Sequence, residues 1–390
     1  MSNRQSARLL SLDVFRGFDM MFIMGLQGVC VGVLGLFGVT DPHWGVLDQF
    51  YHVSWNGFHF IDSIFPTFLF IAGVSFPFSL AKNRERGVSE WKIWRKVIVR
   101  ALVLTALGIV YNGGLTCGAE KFRFASVLQR IGVGWMLGAF VFLTFRGWRA
   151  RFVTFLVVLF GWWALVQFVT APGAPAGANP MEPYSPWNLV GWVDRNLPGL
   201  LRKKSGFEVI GLLSHVGGMA TALIGMLTGE YLRKVRAEGA DGVGTCLRLW
   251  AAAAALFALG WLMIFVGTPC IKAIWSSSYV CCVGAYSLAM FSLFYFLIDV
   301  KGWWKSHLFF KVIGMNSIAV YLMQPIFRTW NAEFGPIGYF IGYCDPAGKS
   351  FGLCGALGPV WGGLVWGVVY FAALWGVLYF LYRKQIFFKV

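Results

Sequence analysis

Tyr51-His52-Val53-Ser54-Trp55-Asn56-Gly57 is a polar run that leads directly into the apolar stretch Phe58 to Leu80. About 20 mostly apolar residues cross the hydrocarbon core of a bilayer as a helix. The stretch after Gly57 therefore reads as a membrane span, and the run before it as the mouth of that span. With five histidines in 390 residues, a histidine grouped with Ser, Trp and Asn at such a mouth stands out from an apolar background.

The same reading extends along the chain. It is 58% hydrophobic and 13% charged, whereas roughly a quarter of the residues of a soluble domain are charged. Its aromatic content of 18% suits interfacial anchoring, and its 48 glycines suit close helix packing. Ten segments approach or exceed span length: Phe18 to Phe37, Phe58 to Leu80, Val97 to Gly114, Val127 to Phe145, Phe152 to Ala171, Val209 to Leu232, Leu249 to Gly267, Tyr279 to Ile298, His307 to Phe327 and Leu357 to Tyr382. The expected fold class is all-α, a polytopic membrane bundle of about ten helices. Pro336 to Cys344 is a candidate eleventh, but it is short and Gly-rich and suits a re-entrant or interfacial segment better.

Charge sets the expected orientation. The net charge of +16 sits mainly in alternate short loops, such as the one from Lys82 to Lys96 and those holding Arg146, Arg149, Arg233, Lys234 and Arg236. Basic loops favour the cytoplasm, so both termini are expected there. This pattern follows topology and argues against nucleic acid as a partner. It places the His52 run outside, together with two loops at 172–208 and 328–356, within a single domain spanning 1–390. The first of these loops is long enough to be uncommon without a function. Phe18 to Phe37 is span-length with no small-residue cleavage site behind it, so no cleavable signal peptide is expected. The eight cysteines form no C-x-x-C pair and no zinc spacing, so no metal site is expected. Cys344 and Cys354 share an external loop, where an oxidising compartment would permit a disulfide.

Ionisable groups inside spans are costly and therefore candidates for function. They are Arg16, Asp19, Asp62, Arg100, Arg130, His215 and Lys311, with Asp13 just before the first span. Asp19 is expected to pair with Arg16, and His215 to serve helix packing. Asp62 sits on the span that begins at the His52 cluster, about two to three turns on from it at roughly 1.5 Å per residue. Its expected first role is pairing with a basic span residue such as Arg100 or Arg130, and its second is orienting a histidine. A lone interfacial histidine needs no chemistry, but His52 has company. Histidine suits proton transfer near neutral pH. Ser54 and Asn56 bring groups able to hold an acceptor or donate to an oxyanion, and Trp55 offers a flat face of the kind that stacks on sugar rings. A second constellation, Arg8, Arg16, Arg100 and the basic loop after Leu80, converges on the inner mouth and suits the phosphates of a nucleotide-bearing donor. The positive-inside rule accounts for the loop charges but least for Arg100.

Ser11-Leu12-Asp13-Val14-Phe15-Arg16-Gly17, the His52 to Gly57 run, Asp62, Phe65-Pro66, Val127-Leu128-Gln129-Arg130-Ile131-Gly132, Trp275-Ser276-Ser277-Ser278-Tyr279-Val280, Gly314-Met315-Asn316-Ser317-Ile318 and Tyr382-Arg383-Lys384 together resemble the heparan-alpha-glucosaminide N-acetyltransferase family, from residue 8 almost to the end. The resemblance implies a multi-span enzyme that moves an acetyl group from cytosolic acetyl-CoA, its co-substrate, to an amino sugar on the luminal or external side. It implies that His52 is catalytic, as general base or transient acetyl carrier, and that Arg8, Arg100 and Arg123 serve the donor site and the fold. Gln27 stands where an active-site asparagine is expected. Glu208-Val209-Ile210-Gly211 replaces an Asp-Pro-Glu-Gly block, so the acceptor side departs most from the pattern. The expected site is then His52, Gln27, Asn56 and Asp62 for chemistry, Arg8, Arg16, Arg100 and Arg123 for acetyl-CoA, and Ser54, Trp55 and Glu208 for the acceptor. The expected setting is the bacterial inner membrane, with the bilayer and an amino sugar or glycan as partners and a homodimer left open. Two alternatives remain at this point: an O-acetyltransferase of an envelope polysaccharide, and a transporter of sugars or lipid-linked sugars without acyl chemistry.

Overall fold

The computed structural model describes residues 9–41, 43, 45–114, 124–197, 211–329, 341–344 and 350–388. Arg8, Arg123 and Glu208 lie outside the described residues. The chain opens with α1 (Leu10–Met21), a π-helical turn (Phe22–Leu26) and α2 (Gln27–Leu36), which together make one rod. There follow the short α3 (Gly45–Asp48), α4 (Phe60–Glu85), α5 (Glu90–Tyr111), α6 (Val127–Thr144), α7 (Trp148–Phe168) and the short α8 (Leu189–Asn196) within the loop at 172–208. Then come α9 (His215–Ala237), α10 (Gly242–Phe265) and α11 (Ser277–Tyr295), the last running into a second π-helical turn (Phe296–Val300). The chain closes with α12 (Leu308–Met315), α13 (Ser317–Thr329), α14 (Gly352–Ala356) and α15 (Gly358–Arg383). The strands described are the pair Tyr343–Cys344 and Ser350–Phe351, antiparallel to each other. The side chain of Cys344, and with it the expected disulfide, lies outside the described residues.

Seven of these helices are long and apolar enough to cross a membrane: Leu10–Leu36, α4, α6, α7, α10, Ser277–Val300 and α15. The protein is therefore an integral membrane protein. The three other expected spans also coincide with helices, which differ from these seven in composition or length. Helix α5 carries Lys92, Arg95, Lys96 and Arg100 along its length. Helix α9 starts at His215 instead of near Val209 and ends in the charged run around Lys234 and Arg236. The expected span His307 to Phe327 is broken at Asn316, whose φ of −125° leaves the helical region. That side chain is fully buried and exchanges bonds with the chain's end, donating to the Ile386 carbonyl at 3.0 Å and accepting from the Phe388 N–H at 3.1 Å.

Helix α9 sits at the centre of the bundle, against α4, α6, α7 and α11. No apolar solvent gap drives helices together in lipid, so close backbone approach has to supply the contact. Here Gly225-x-x-x-Gly229 faces α4 so closely that a Cβ on Gly225 would lie 2.1 Å from the Phe70 carbonyl oxygen, and one on Gly229 2.3 Å from that of Val74. Helix α4 carries Pro66 and Pro77 inside it, which a bundle tolerates because neighbouring helices satisfy the freed backbone groups. The first helix begins at Leu10, well before the expected Phe18, because Leu12, Val14 and Phe15 face the core beside the buried Asp13. Its π turn has Gly25 at φ 117°, a conformation that side chains rarely adopt.

Candidate active site

The polar run before α4 folds back over the start of that helix and is tied there by one carboxylate. Asp62, in the first turn of α4, is 1% exposed. Its Oδ2 accepts from the backbone N–H groups of Val53 and His59, both at 3.3 Å. Its Oδ1 receives His52 Nδ1 at 2.7 Å and Lys272 Nζ at 2.8 Å. A negative group at a helix N-terminus is favoured by the helix dipole, and Tyr279 adds a bond from its hydroxyl to the Asp62 carbonyl at 2.8 Å. Beside this knot, His59 donates from Nδ1 to the Tyr51 carbonyl, 2.9 Å away, and meets Asp48 through Nε2 at 3.2 Å. The imidazole of His59 is thus committed at both nitrogens, and that of His52 at one.

The proton on His52 follows from its partners. A carboxylate only accepts and an ammonium only donates. At 2.7 Å from Asp62, Nδ1 of His52 must carry the hydrogen, and Lys272 donates to the same oxygen. The 3.2 Å approach of Lys272 Nζ to His52 Nδ1 is then two donors gathered by one acceptor. In the neutral imidazole this tautomer leaves Nε2 as the acceptor, on a side chain that is 63% exposed. Burial pushes the Lys272 amine below the ordinary lysine value, against the upward pull of Asp62. Asp62 therefore pairs with Lys272 and His52, and the expected partners Arg100 and Arg130 are replaced. Lys272 carries no signal of its own in the sequence, where it is one basic residue in a loop. The nearby Trp275 to Val280 block was the pointer to that loop.

His52, Ser54, Trp55, Gln27 and Lys272 line a cavity of 460 Å³ that is walled by the π turn at Phe22 and Ile23, by Tyr111 and Trp275, and by Tyr321 and Gln324 of α13. A second cavity, of 320 Å³, is lined by Arg16, Arg100, Ser75 and the 314–318 segment, with apolar walls. Ile23, Phe65, Val127 and Tyr321 line both, so the two lie back to back along the bundle. From Asp62 to Ser75 along α4 is roughly 20 Å at 1.5 Å per residue. The bulged turn at the junction is itself braced, with Gln324 donating to the Ile23 carbonyl at 2.6 Å. Such π bulges are frequent at functional sites.

Residues 8–185 match the sequence model of the family described as "Heparan-alpha-glucosaminide N-acetyltransferase, catalytic". The chain is also 26% identical over 379 residues to the protein named heparan-alpha-glucosaminide N-acetyltransferase from Mus musculus, covering 84% of this chain and 55% of that one. Against the protein of the same name from Homo sapiens it is 26% identical over 372 residues, or 83% and 53% of the two chains. The chain is thus similar to the heparan-alpha-glucosaminide N-acetyltransferase family. It spans about half the length of the curated relatives it matches.

The residues that carry the heparan-alpha-glucosaminide N-acetyltransferase resemblance occupy distinct places. Asn56 is structural in its contacts, with Oδ1 accepting from the Cys270 N–H at 3.0 Å and its backbone bridged to Ile271. This clamp brings the loop carrying Lys272 to His52. Trp55 is 5% exposed and donates from its indole to the Met181 carbonyl at 3.0 Å, so only an edge of it reaches the cavity. Gln27 lines the cavity while its amide donates to the Phe50 carbonyl at 2.5 Å. Arg16 pairs with Asp13 at 3.6 Å, and the expected partner Asp19 is instead fully buried, with neither oxygen hydrogen-bonded among the described residues. Arg100 stacks over the Trp135 ring at 4.4 Å, on the wall of the inner cavity. Arg130 is fully buried below the site, bonded to Ser214 and to the Gly211 carbonyl, with its guanidinium 4.7 Å from the Trp275 ring. Trp275 holds a positive φ of 55°, strain that a bulky residue accepts only where its surroundings over-determine it. His215 is buried and bonded through Nδ1 to the Leu212 carbonyl at 2.7 Å, in keeping with a packing role.

Proposed function

We propose that the protein transfers the acetyl group of cytosolic acetyl-CoA to the amino group of a glucosamine-type sugar on the external side of the membrane. The observation that carries the reading is the pair of back-to-back cavities, one lined by Arg16 and Arg100, the other by His52 and Lys272, which meet at Asp62 behind it. Arg16 and Arg100 hold phosphate oxygens of the donor, since guanidinium groups bind them in bidentate fashion. The donor's pantetheine fits the apolar walls between the cavities, and acetyl-CoA supplies an activated thioester at the outer end.

His52 performs the proton transfer. With Nδ1 committed to Asp62, Nε2 removes a proton from the sugar amine as the nitrogen attacks the thioester carbonyl; the C–S bond then breaks, and the imidazolium returns the proton to the leaving CoA thiolate. Asp62 stabilises the imidazolium that forms, and Lys272 keeps Asp62 ionised. Lys272, Ser54 and Gln27 line the space in which an oxyanion develops, and a cation or an amide N–H there stabilises it. A route through acetyl on His52 Nε2 uses the same geometry.

The test is transfer from labelled acetyl-CoA to glucosamine by purified protein in liposomes, wild type against His52→Ala. Loss of turnover with acetyl-CoA binding retained is the expected result. Full turnover in the variant would remove His52 from the chemistry.

A further inference from the structure

Tyr184 is presented at the rim of the outer cavity in an unusual way. The residue is 57% exposed, yet its hydroxyl is taken up by a bond to the Ser54 carbonyl at 2.9 Å. The ring leans against Trp55 at a tilt of 50°, with centroids 4.8 Å apart, and Glu182 and Pro183 before it are exposed as well. Its φ is 55°, in the left-handed region that bulky residues avoid. The turn that holds it is pinned on both flanks: Trp55 bonds the Met181 carbonyl, Asn188 bonds the Pro180 carbonyl at 2.8 Å, and Ser185 is buried. Strain of this kind persists where a site needs it. Tyrosines that anchor proteins at a membrane interface do the opposite, sinking the ring towards lipid and turning the hydroxyl to water. Here the polar tip is consumed and the residue stays exposed, with Pro183 beside it and the carboxylate of Glu182 two residues before it.

We infer that Tyr184 is a saccharide platform: it stacks on the ring that adjoins the sugar being acetylated, so that the acceptor is at least a disaccharide. A pyranose has one face of C–H groups, which are electropositive and complement the electron-rich face of an aromatic ring. Ser54 and Trp55, which hold Tyr184, also line the cavity of His52. Two residues of backbone separate His52 from Ser54, at most roughly 7 Å, about the reach of one sugar and its glycosidic bond. The platform and His52 are thus held by neighbouring residues of one loop, on the scale of a single sugar ring. This inference rests on the proposed acetyl transfer to a sugar and adds a subsite to it.

Kinetics with two acceptors test it: glucosamine, and a disaccharide ending in glucosamine, with wild type, Tyr184→Ala and Tyr184→Trp. The expected result is a roughly tenfold rise in KM for the disaccharide in Tyr184→Ala, the scale of one lost aromatic contact. The KM values for glucosamine and acetyl-CoA should stay near those of wild type, and Tyr184→Trp should keep the disaccharide advantage. An unchanged disaccharide KM, or an equal rise for both sugars and acetyl-CoA, overturns the platform. If Tyr184→Ala does not fold, Tyr184→Trp and Tyr184→Ser decide, the first keeping the preference and the second losing it. Calorimetric binding of the N-acetylated disaccharide to wild type and variants needs no turnover. It separates failure of the platform from failure of the transfer reaction, which His52→Ala reports: a disaccharide bound equally by all variants ends the proposal even if acetyl transfer stands.

Discussion

Replacing Asp62 with Asn should uncouple activity from folding in a measurable way. The carboxylate serves four donors: two backbone N–H groups, His52 and Lys272. Asparagine has one acceptor oxygen and an NH₂ that only donates. An Nδ2–H facing His52 would oppose its Nδ1–H and favour the tautomer with hydrogen on Nε2, which removes the base from the cavity. In a serine protease the equivalent carboxylate-to-amide change costs about 10⁴ in turnover by the same tautomer error, and a loss on the order of 10³ to 10⁴ is expected here. Stability should fall as well, because the Lys272 ammonium loses its counter-ion. Asp62 and Lys272 have side chains only 1% and 19% exposed, so solvent screening gives little relief, and breaking such a buried pair costs about 3–5 kcal/mol. Adding Lys272→Met removes the orphaned charge, so the double variant should recover most of that stability and none of the activity. Turnover from labelled acetyl-CoA and thermal unfolding in detergent measure the two effects. Turnover of Asp62→Asn within tenfold of wild type would refute the tautomer argument, and a double variant no more stable than Asp62→Asn would refute the ion-pair argument.

Lys272 also makes a pH prediction. Burial holds its folded-state pKa below the unfolded value, about 10.4 for a free lysine, so between the two values the unfolded chain binds more protons and stability rises with pH. Asp62→Asn removes the upward pull and extends that window downward. Its melting temperature should therefore climb more steeply than that of wild type as pH rises towards the free-lysine value, and parallel curves would contradict this. Arg100→Ala should raise KM for acetyl-CoA by roughly tenfold or more, the scale of one charge-assisted contact, with the KM for glucosamine held; an unchanged donor KM would remove Arg100 from the donor site. Gly225→Ala should destabilise by about 1–3 kcal/mol, because its Cβ would sit 2.1 Å from the Phe70 carbonyl oxygen, and an unchanged melting temperature would show that α4 and α9 can separate there.

Much of the fold was legible because lipid imposes a one-dimensional rule. A segment that crosses hydrocarbon must be apolar and satisfy its own backbone, so length and hydropathy alone placed the spans that became α4, α6, α7, α10, α11 and α15. The rule weakens where helices are shielded by other helices. On faces turned into the bundle Arg100 can sit over the Trp135 ring, and the chain can break at Asn316, whose amide bonds Ile386 and Phe388. The His52 run was legible for a related reason: polar and ionisable side chains are costly beside lipid, so a cluster of them at the mouth of a span marks a place where they are used.

What the sequence determined by itself, then, was the membrane-helical class, the family blocks and the position of His52 at the start of α4. What only the tertiary structure decided was the company His52 keeps. Lys272 reaches it from a loop more than two hundred positions later, drawn in by the Asn56 bond to Cys270, and Tyr184 reaches Ser54 across 130 positions. Hydropathy has no term for such meetings. They are set by which helices pack together, and by the need of one buried carboxylate, Asp62, for donors that no residue close in sequence could supply in full.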